Sequence, residues 1–301
     1  MLRISVENIL EYLGQNGYDV QYEGSKDLVL EGYCQLDRLK NNSITWIKNV
    51  AEDNLYDFSE FINGVVVTDK KVSYVGEEIG FIITNAPKAV FFTILNYFFT
   101  ETDLEQRIGV NTVIGDRVII GENVVIGNNC SIVGNIIIGD NTIISDNVVI
   151  KNHVVIGKNC EIQALTVIGE DGFGCFEREN NQKVMIRHHG GVNIGNDVFI
   201  GSHVNIARGT IDDTVIENGV KIAPSTHIGH NNHIEQDAIV ICAQLYGSVH
   251  VGENAYVVGS IVRNQCSIGE NTMVGMGSVV THSIEENKVA IGAPAKVIRE
   301  R

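Results

Sequence analysis

Three histidines, His227, His230 and His233, stand three residues apart in the stretch STHIGHNNHIEQ, residues 225–236. The chain has 9 histidines, so a third of them sit here. Imidazole titrates close to neutral pH, and it serves either as a metal ligand or as a proton acceptor. A tetrahedral ion needs ligands that converge on one point. A spacing of three along short strands gives no such convergence, so no metal ligand is assigned. A general base with two bystanders and a purely architectural set of corner residues both remain open from the residues alone. Three further stretches carry polar or glycine-rich chemistry: IGEDGFG at 168–174, ARGTIDDTVIENGVKI at 207–222 and LYGSVHVG at 245–252. The chain's single tryptophan, Trp46, lies in SITWIKN.

Those stretches interrupt a repeat. Isoleucine occupies 108, 114, 120, 126, 132, 138, 144, 150, 156, 162 and 168, a strict period of six. The fifth residue of each hexad is small or β-branched, as at Val118, Val124, Cys130, Thr142 and Cys160. The fourth is Asn at 111, 123, 129, 135, 141, 147 and 159, and Asn tolerates the left-handed backbone of a turn. Six residues of α-helix rotate by about 600°, which would carry the isoleucines around the axis. Short strands with an inward Ile, each followed by a corner, fit the period, and stacked coils then bury the Ile row as a ladder. The period breaks after 168, returns at Ile194, Ile200 and Ile206, slips through GTIDDT, and resumes from Ile216 with shortened steps near 245 and 262. Such interruptions are where a repeat protein is free to carry function.

Residues 1–102 lack hexads. VENILEYLG predicts a short amphipathic helix, SITWIKN and NGVVVTD predict strands, and 85–99 predicts a helix with Pro87 in its first turn. The chain divides into a small α/β domain over 1–102, a solenoid over 103–285 and a short tail over 286–301. Its 301 residues are 44% hydrophobic and 20% charged, as in a globular protein. A net charge of −15 without a basic stripe argues against nucleic acid as a partner. The six cysteines include no C-x-x-C pair, and Cys130 and Cys160 read as small core residues. No apolar run is long enough to span a membrane and the first residues lack a signal-peptide pattern, so the expected location is the cytoplasm.

The hexads resemble those of the hexapeptide-repeat family. That resemblance implies a mainly β fold, a left-handed parallel β-helix with three hexads per coil, and a homotrimer. More narrowly, IGEDGFG, ARG…DDT, IGHNN and YGS, with SITWIKN upstream, resemble the UDP-3-O-acylglucosamine N-acyltransferases of lipid A synthesis from about residue 5 to about 260. The resemblance implies an enzyme that moves an acyl group from a thioester to a sugar amine. His230 is then the base and the Gly247 amide the oxyanion donor. Trp46 and Asn49 become nucleotide contacts. Asp171, Phe173, Gly174, Arg208 and Asn231 become acceptor contacts, and Asp212 and Asp213 either hold the amino sugar, orient His230 or cap the insertion. No permanently bound cofactor is implied; acyl-CoA or acyl-carrier protein is a co-substrate.

Two positions depart from that family's pattern. Ala207 stands where an Asp precedes Arg-Gly, and no aromatic follows three residues after Asn49. Similar proteins acylate nucleotide-linked 4-amino-4,6-dideoxysugars for surface polysaccharides, anthrose synthesis being one setting, with acyl-CoA as donor. The departures favour that acceptor, with UDP-3-O-acylglucosamine and an acyl-carrier donor as the alternative. A non-catalytic trimeric scaffold is the third reading. Hexapeptide-repeat carbonic anhydrases use a pair of histidines five residues apart, a pair absent from this sequence.

Overall fold

The computed structural model describes residues 3–50, 55–76, 79–100 and 107–300. The chain forms two compact units that divide between Asp103 and Leu104.

In the first unit, helix α1 (Val6–Gln15) starts at Ser5, whose Oγ accepts from the Asn8 N–H at 3.2 Å. That bond satisfies one of the orphan donors of the first turn. Val6, Ile9 and Leu13 face inward from α1 at helical spacing. A five-stranded sheet runs in the order Gln21–Glu23, Gly80–Ile83, Val65–Thr68, Ser43–Trp46, Gly32–Tyr33. Val65–Thr68 is its fully buried centre, as expected of a strand that reads VVVT. Helix α2 (Pro87–Phe98) carries Pro87 in its first turn and packs against Ser43–Trp46 and Val65–Thr68. Its Val90, Phe91 and Ile94 join Ile9, Leu13, Ile44 and Val67 in one core.

The second unit is a left-handed parallel β-helix. Each coil contributes one short strand to each of three faces. On the first face the rungs run from Arg107–Ile108 to Lys288–Ile291. The second face carries Val113–Ile114 and its successors through Val279–Val280, and the third runs from Val118–Ile120 to Ser267–Ile268. Register follows the sequence period: Ser131 pairs with Val149 and Val149 with Val167, one 18-residue coil apart. Isoleucine therefore stacks on isoleucine. Ile126, Ile132, Ile150, Ile162, Ile200 and Ile222 are all fully buried in one continuous core. Cys130 and Cys160 lie in the same core. Burying each such side chain contributes roughly 1.5–3 kcal/mol.

Corners are made by residues with positive φ. Asn111, Asn123, Asn129, Asn141, Asn147 and Asn159 all lie at φ 56–60°. Their side chains hydrogen-bond from coil to coil, as in Asn123 to Asn141 at 3.1 Å and Asn141 to Asn159 at 3.3 Å. Asn135 is the exception among the predicted corner asparagines. It sits inside the continuous strand Ser131–Ile138, and the positive φ falls on Gly134 instead. A Cβ at Gly134 would lie 2.0 Å from the Asn152 carbonyl oxygen, so only glycine fits there.

The segment set apart as a tail, 286–301, is a correction to the sequence reading. Lys288–Ile291 continues the first face, and Lys296–Glu300 turns back to pair antiparallel with it. The hexad period ends before this segment, so periodicity gave no sign of it.

Replacing a single inward isoleucine tests the ladder. Ile162→Ala is expected to cost about 2–5 kcal/mol, read as a lower urea midpoint with the m-value retained.

Candidate functional site

The two insertions into the 18-residue register fall at one corner, between the second and third faces. Val167 pairs with Asn205, 38 positions on, so twenty residues are inserted after Ile168. Asn205 pairs with His227, 22 positions on, so four more are inserted after Ile206. The next coil has His230 at the same corner and the one after it Gly247. His227 pairs with Gln244, 17 positions on. The residue lost in that coil is lost at a different corner, near Cys242, which takes φ 46°. His230 and Gly247 thus keep the same place in their hexads and stack directly.

The long insertion forms a hairpin of Cys175–Glu177 and Lys183–Met185 and then returns to the solenoid. Its return is tied to the shorter insertion: the His189 N–H donates to the Thr210 carbonyl at 2.9 Å, and the Gly190 N–H to the Gly209 carbonyl at 3.0 Å. Asp213 Oδ1 accepts from the Gly191 N–H at 2.6 Å, and Arg208 Nε donates to the Gly190 carbonyl at 2.6 Å. Asp213 and Arg208 therefore brace the two loops. Asp171 forms an ion pair with Arg187 at 3.6 Å, and Asp212 is exposed.

Asn231 joins these loops to His230. Its Oδ1 accepts from the Thr210 N–H at 3.2 Å and the Thr210 hydroxyl at 2.7 Å, and it lies 2.9 Å from His230 Nδ1. A backbone N–H only donates, so the atom facing it is an acceptor. His230 Nδ1 must then carry the proton, which leaves Nε2 with its lone pair free. That edge of the ring lies over Gly247, where a Cβ would come 2.5 Å from both Nε2 and Cε1. Glycine is required at 247 for this approach.

The Gly247 N–H has no hydrogen-bond partner among the described residues. At the same hexad position on the other two corners this group is taken by a side chain: Glu122 by Asp140 at 2.9 Å, Asn128 by Asp146 at 2.6 Å, Lys158 by Asn196 at 2.8 Å and Glu253 by Glu235 at 3.0 Å. A free donor and a free imidazole nitrogen meet at the wall of a cavity of about 430 Å³. Phe173, 79% exposed, lines that cavity, as do His227, Tyr246 and Gln265. Burial holds the His227 imidazole below its ordinary pKa.

The other two histidines of the triplet part company. His227 belongs to the cavity. His233 lies on the third face and bonds Glu217 at 2.7 Å, with its ring stacked at 5.1 Å on His250, itself bonded to Glu235 at 2.8 Å. Among the described residues, no three His, Cys, Asp or Glu side chains gather closely enough to hold a metal ion.

Sequence reasoning missed His188. It is 3% exposed and packs edge-to-face on His230, with ring centroids 5.1 Å apart. Its Nδ1 donates to the Ile186 carbonyl at 3.1 Å, and its Nε2 is buried without a partner against Gly172. The residue lies in the twenty-residue insertion, where no period relates it to the coil that it meets. Thr210, which holds Asn231, was missed for the same reason.

Trp46 and Asn49 belong to the first unit. Trp46 packs on Phe91 and Phe92, with centroids 6.3 Å from each, and lines a cavity of about 690 Å³ with Tyr33, Arg38, Lys40 and Thr45. The Thr45 hydroxyl is buried there without a partner. Asn49, at φ 60°, donates its N–H to Asp69 and lies outside that lining. Gly174 opens the hairpin and lies outside the His230 cavity.

Residues 135–170 match the family described as bacterial transferase hexapeptide (six repeats). Over 83 residues, 27% of this chain, the sequence is 49% identical to a UDP-3-O-acylglucosamine N-acyltransferase of Delftia acidovorans. A protein of the same name from Coxiella burnetii is 47% identical over 83 residues. The match covers 24% of each relative, so the chain spans about a quarter of the length of the curated relatives it matches. Among solved structures, a UDP-N-acetylglucosamine acyltransferase from Francisella novicida superposes with a TM-score of 0.59 at 24% identity, over 64% of this chain and 70% of that one. One from Campylobacter jejuni gives 0.59 at 22% identity, over 64% and 75%. At such identities the likeness is one of fold. Repeat, coil and neighbours agree on the fold, a left-handed β-helix built of six-residue repeats, and over part of that solenoid the chain is similar to the UDP-3-O-acylglucosamine N-acyltransferases.

Proposed function

We propose that the chain is an N-acyltransferase that moves an acyl group from a thioester to the amine of a nucleotide-linked sugar. The observation that carries this reading is the pairing of His230 Nε2, bare and aimed over Gly247, with the unpartnered Gly247 N–H. A neutral amine attacks the thioester carbonyl. Nε2 takes the proton lost as the C–N bond forms. The Gly247 N–H donates to the oxygen that becomes negative in the tetrahedral intermediate. Collapse expels the thiolate, which recovers the proton from the imidazolium. Asn231 keeps Nδ1 protonated throughout and so holds the ring in the one tautomer that can act.

The acceptor to test first is UDP-3-O-acylglucosamine, because the relatives matched over the solenoid carry that name. This reverses the order that the sequence departures favoured. The amino-dideoxysugar with acyl-CoA stays as the second reading, on Ala207 in place of an acidic residue. Ala207 is 2% exposed and accepts a bond from Thr214 through its carbonyl at 2.8 Å. In this reading Trp46, beside Arg38 and Lys40, stacks on the nucleotide base. The working assembly is a homotrimer. Support for it comes from Ile119 and Ile137, which stand in register on the third face and point outward, 63% and 42% exposed.

His230→Ala is expected to lower kcat by roughly 10²–10⁴ with the oligomer and its melting temperature unchanged. Near-normal turnover would remove His230 as the base. Trp46→Ala is expected to raise the KM for the nucleotide sugar roughly tenfold, the loss of one stacking contact. An unchanged KM beside a lower melting temperature would assign Trp46 to the core alone. Assays that pair UDP-3-O-acylglucosamine and UDP- or dTDP-linked amino-dideoxysugars with acyl-CoA and acyl-carrier donors separate the two acceptor readings. Absence of transfer with every pair would favour the scaffold.

A further inference from the structure

We infer that a second cavity on the same solenoid corner, N-terminal to His230, binds the diphosphate of a substrate. The cavity is about 420 Å³; beside Val133 and Gly134 it is lined by Arg117, Asn135, Asn152, His153 and Arg208, with no carboxylate in its wall. The chain as a whole carries 37 acidic residues against 22 Lys and Arg. A lining with two guanidiniums and no acid is therefore a local reversal of its charge.

Three of these residues form a ladder. Asn135 pairs in register with His153, and Arg117 precedes Val118, which pairs with Ile136. Arg117, Asn135 and His153 thus project from one position of three successive coils. Asn135 Nδ2 donates to His153 Nδ1 at 3.2 Å, so the neutral ring carries its proton on Nε2 and offers a donor. Arg208 closes the wall from the shorter insertion. Its Nε is committed to the Gly190 carbonyl, which fixes the guanidinium plane and leaves the terminal nitrogens free to donate. Neither Arg117 nor Arg208 makes an ion pair among the described residues. Of the acids close by in the sequence or in the adjoining coil, Asp116 is exposed and makes no ion pair with Arg117 among the described residues, Asp213 accepts from the Gly191 N–H, Glu170 pairs with Lys151 at 2.7 Å and Asp171 with Arg187.

Two uncompensated guanidiniums that share a cavity repel each other, and a multivalent anion relieves that repulsion. Arginine forks match phosphate oxygens in shape as well as in charge. The position also fits the chemistry proposed above, on which this step of the inference rests. His153, Gly191, Asp213 and Asn231 occupy successive coils, so the ladder ends roughly 14 Å from His230 at the strand spacing of a sheet. Arg208 lies in the coil that adjoins His230. A nucleotide-linked sugar whose amine reaches Nε2 can lay its diphosphate along this edge. An acyl-CoA donor also carries a diphosphate, so the two sources are separated by kinetics.

The test uses the full-length oligomer. Calorimetric titration with inorganic pyrophosphate is expected to detect binding that Arg117→Ala weakens roughly tenfold, the loss of one charged hydrogen bond, and that Arg117→Lys partly restores. In turnover, Arg117→Ala and His153→Ala are expected to raise the KM for the nucleotide sugar, with kcat and the donor KM within about twofold of the parent. A rise confined to the donor KM would give the site to acyl-CoA and overturn its assignment to the acceptor. Pyrophosphate binding that is absent, or equal in parent and variants, would overturn the site itself. The titration needs no catalysis, so it reads the site even if the acyltransferase reading fails.

Discussion

Parallel hydrogen bonding between coils at a fixed offset of 18 residues is the constraint on which the rest of the second unit depends. It stacks each hexad position on its own kind. Isoleucine then lies on isoleucine in the core, asparagine on asparagine at the corners, and third position on third position at the site. A slip of one residue would turn the inward row outward, so length can change only where the ladder is already interrupted. The twenty-residue and four-residue insertions and the shortened coils obey this, each falling at a corner. Loop entropy rises only slowly with length, so such corners tolerate insertion at little thermodynamic expense.

The insertions also give the corner its chemistry. A bare solenoid corner presents backbone groups satisfied by the coils above and below it, as Asp140 does for Glu122 and Asp146 for Asn128. At Gly247 that satisfaction is withdrawn, and the N–H is left for something else. At Asn231 one amide oxygen is shared between a loop and a ring. Loop order and ring tautomer are thereby a single property: a disturbance that frees Thr210 also frees the proton on His230 Nδ1. His188, wedged edge-on against the same ring, adds steric definition from the long insertion.

The fold was legible because its signal is periodic. Eleven isoleucines at a spacing of six leave one architecture, and the corner asparagines announce the turns. Asn135 was misread because the repeat implies that all corners are alike, whereas a continuous strand through the corner moves the positive φ one residue earlier, to Gly134 in one coil and Asn152 in the next. The 17-residue step from His230 to Gly247 was readable as one coil, because the missing residue is near Cys242 and leaves their corner intact. His188, Thr210 and the brace between Asp213 and Gly191 were not readable. They join segments whose spacing the insertions have set free from the repeat, and only the folded loops bring them together. The final strand pair was hidden for the opposite reason: it is regular structure without hexads. In the first unit, Trp46 was singled out by the resemblance of SITWIKN, and the unpaired Thr45 hydroxyl beside it carried no sequence signal.

That final strand pair has a consequence for the molecule in solution. A parallel solenoid ends in a row of unpaired backbone groups, and each coil is a ready template for another; left bare, such an end invites head-to-tail growth into fibres. Lys296–Glu300 lies antiparallel along the last rung of the first face. It reverses the strand polarity there, so an incoming parallel coil finds the wrong hydrogen-bonding pattern. Lys296, Arg299 and Glu300 add charge to the same edge, and Lys288 holds Glu300 in an ion pair at 2.7 Å. On this face the segment occupies the edge to which a further coil would bond.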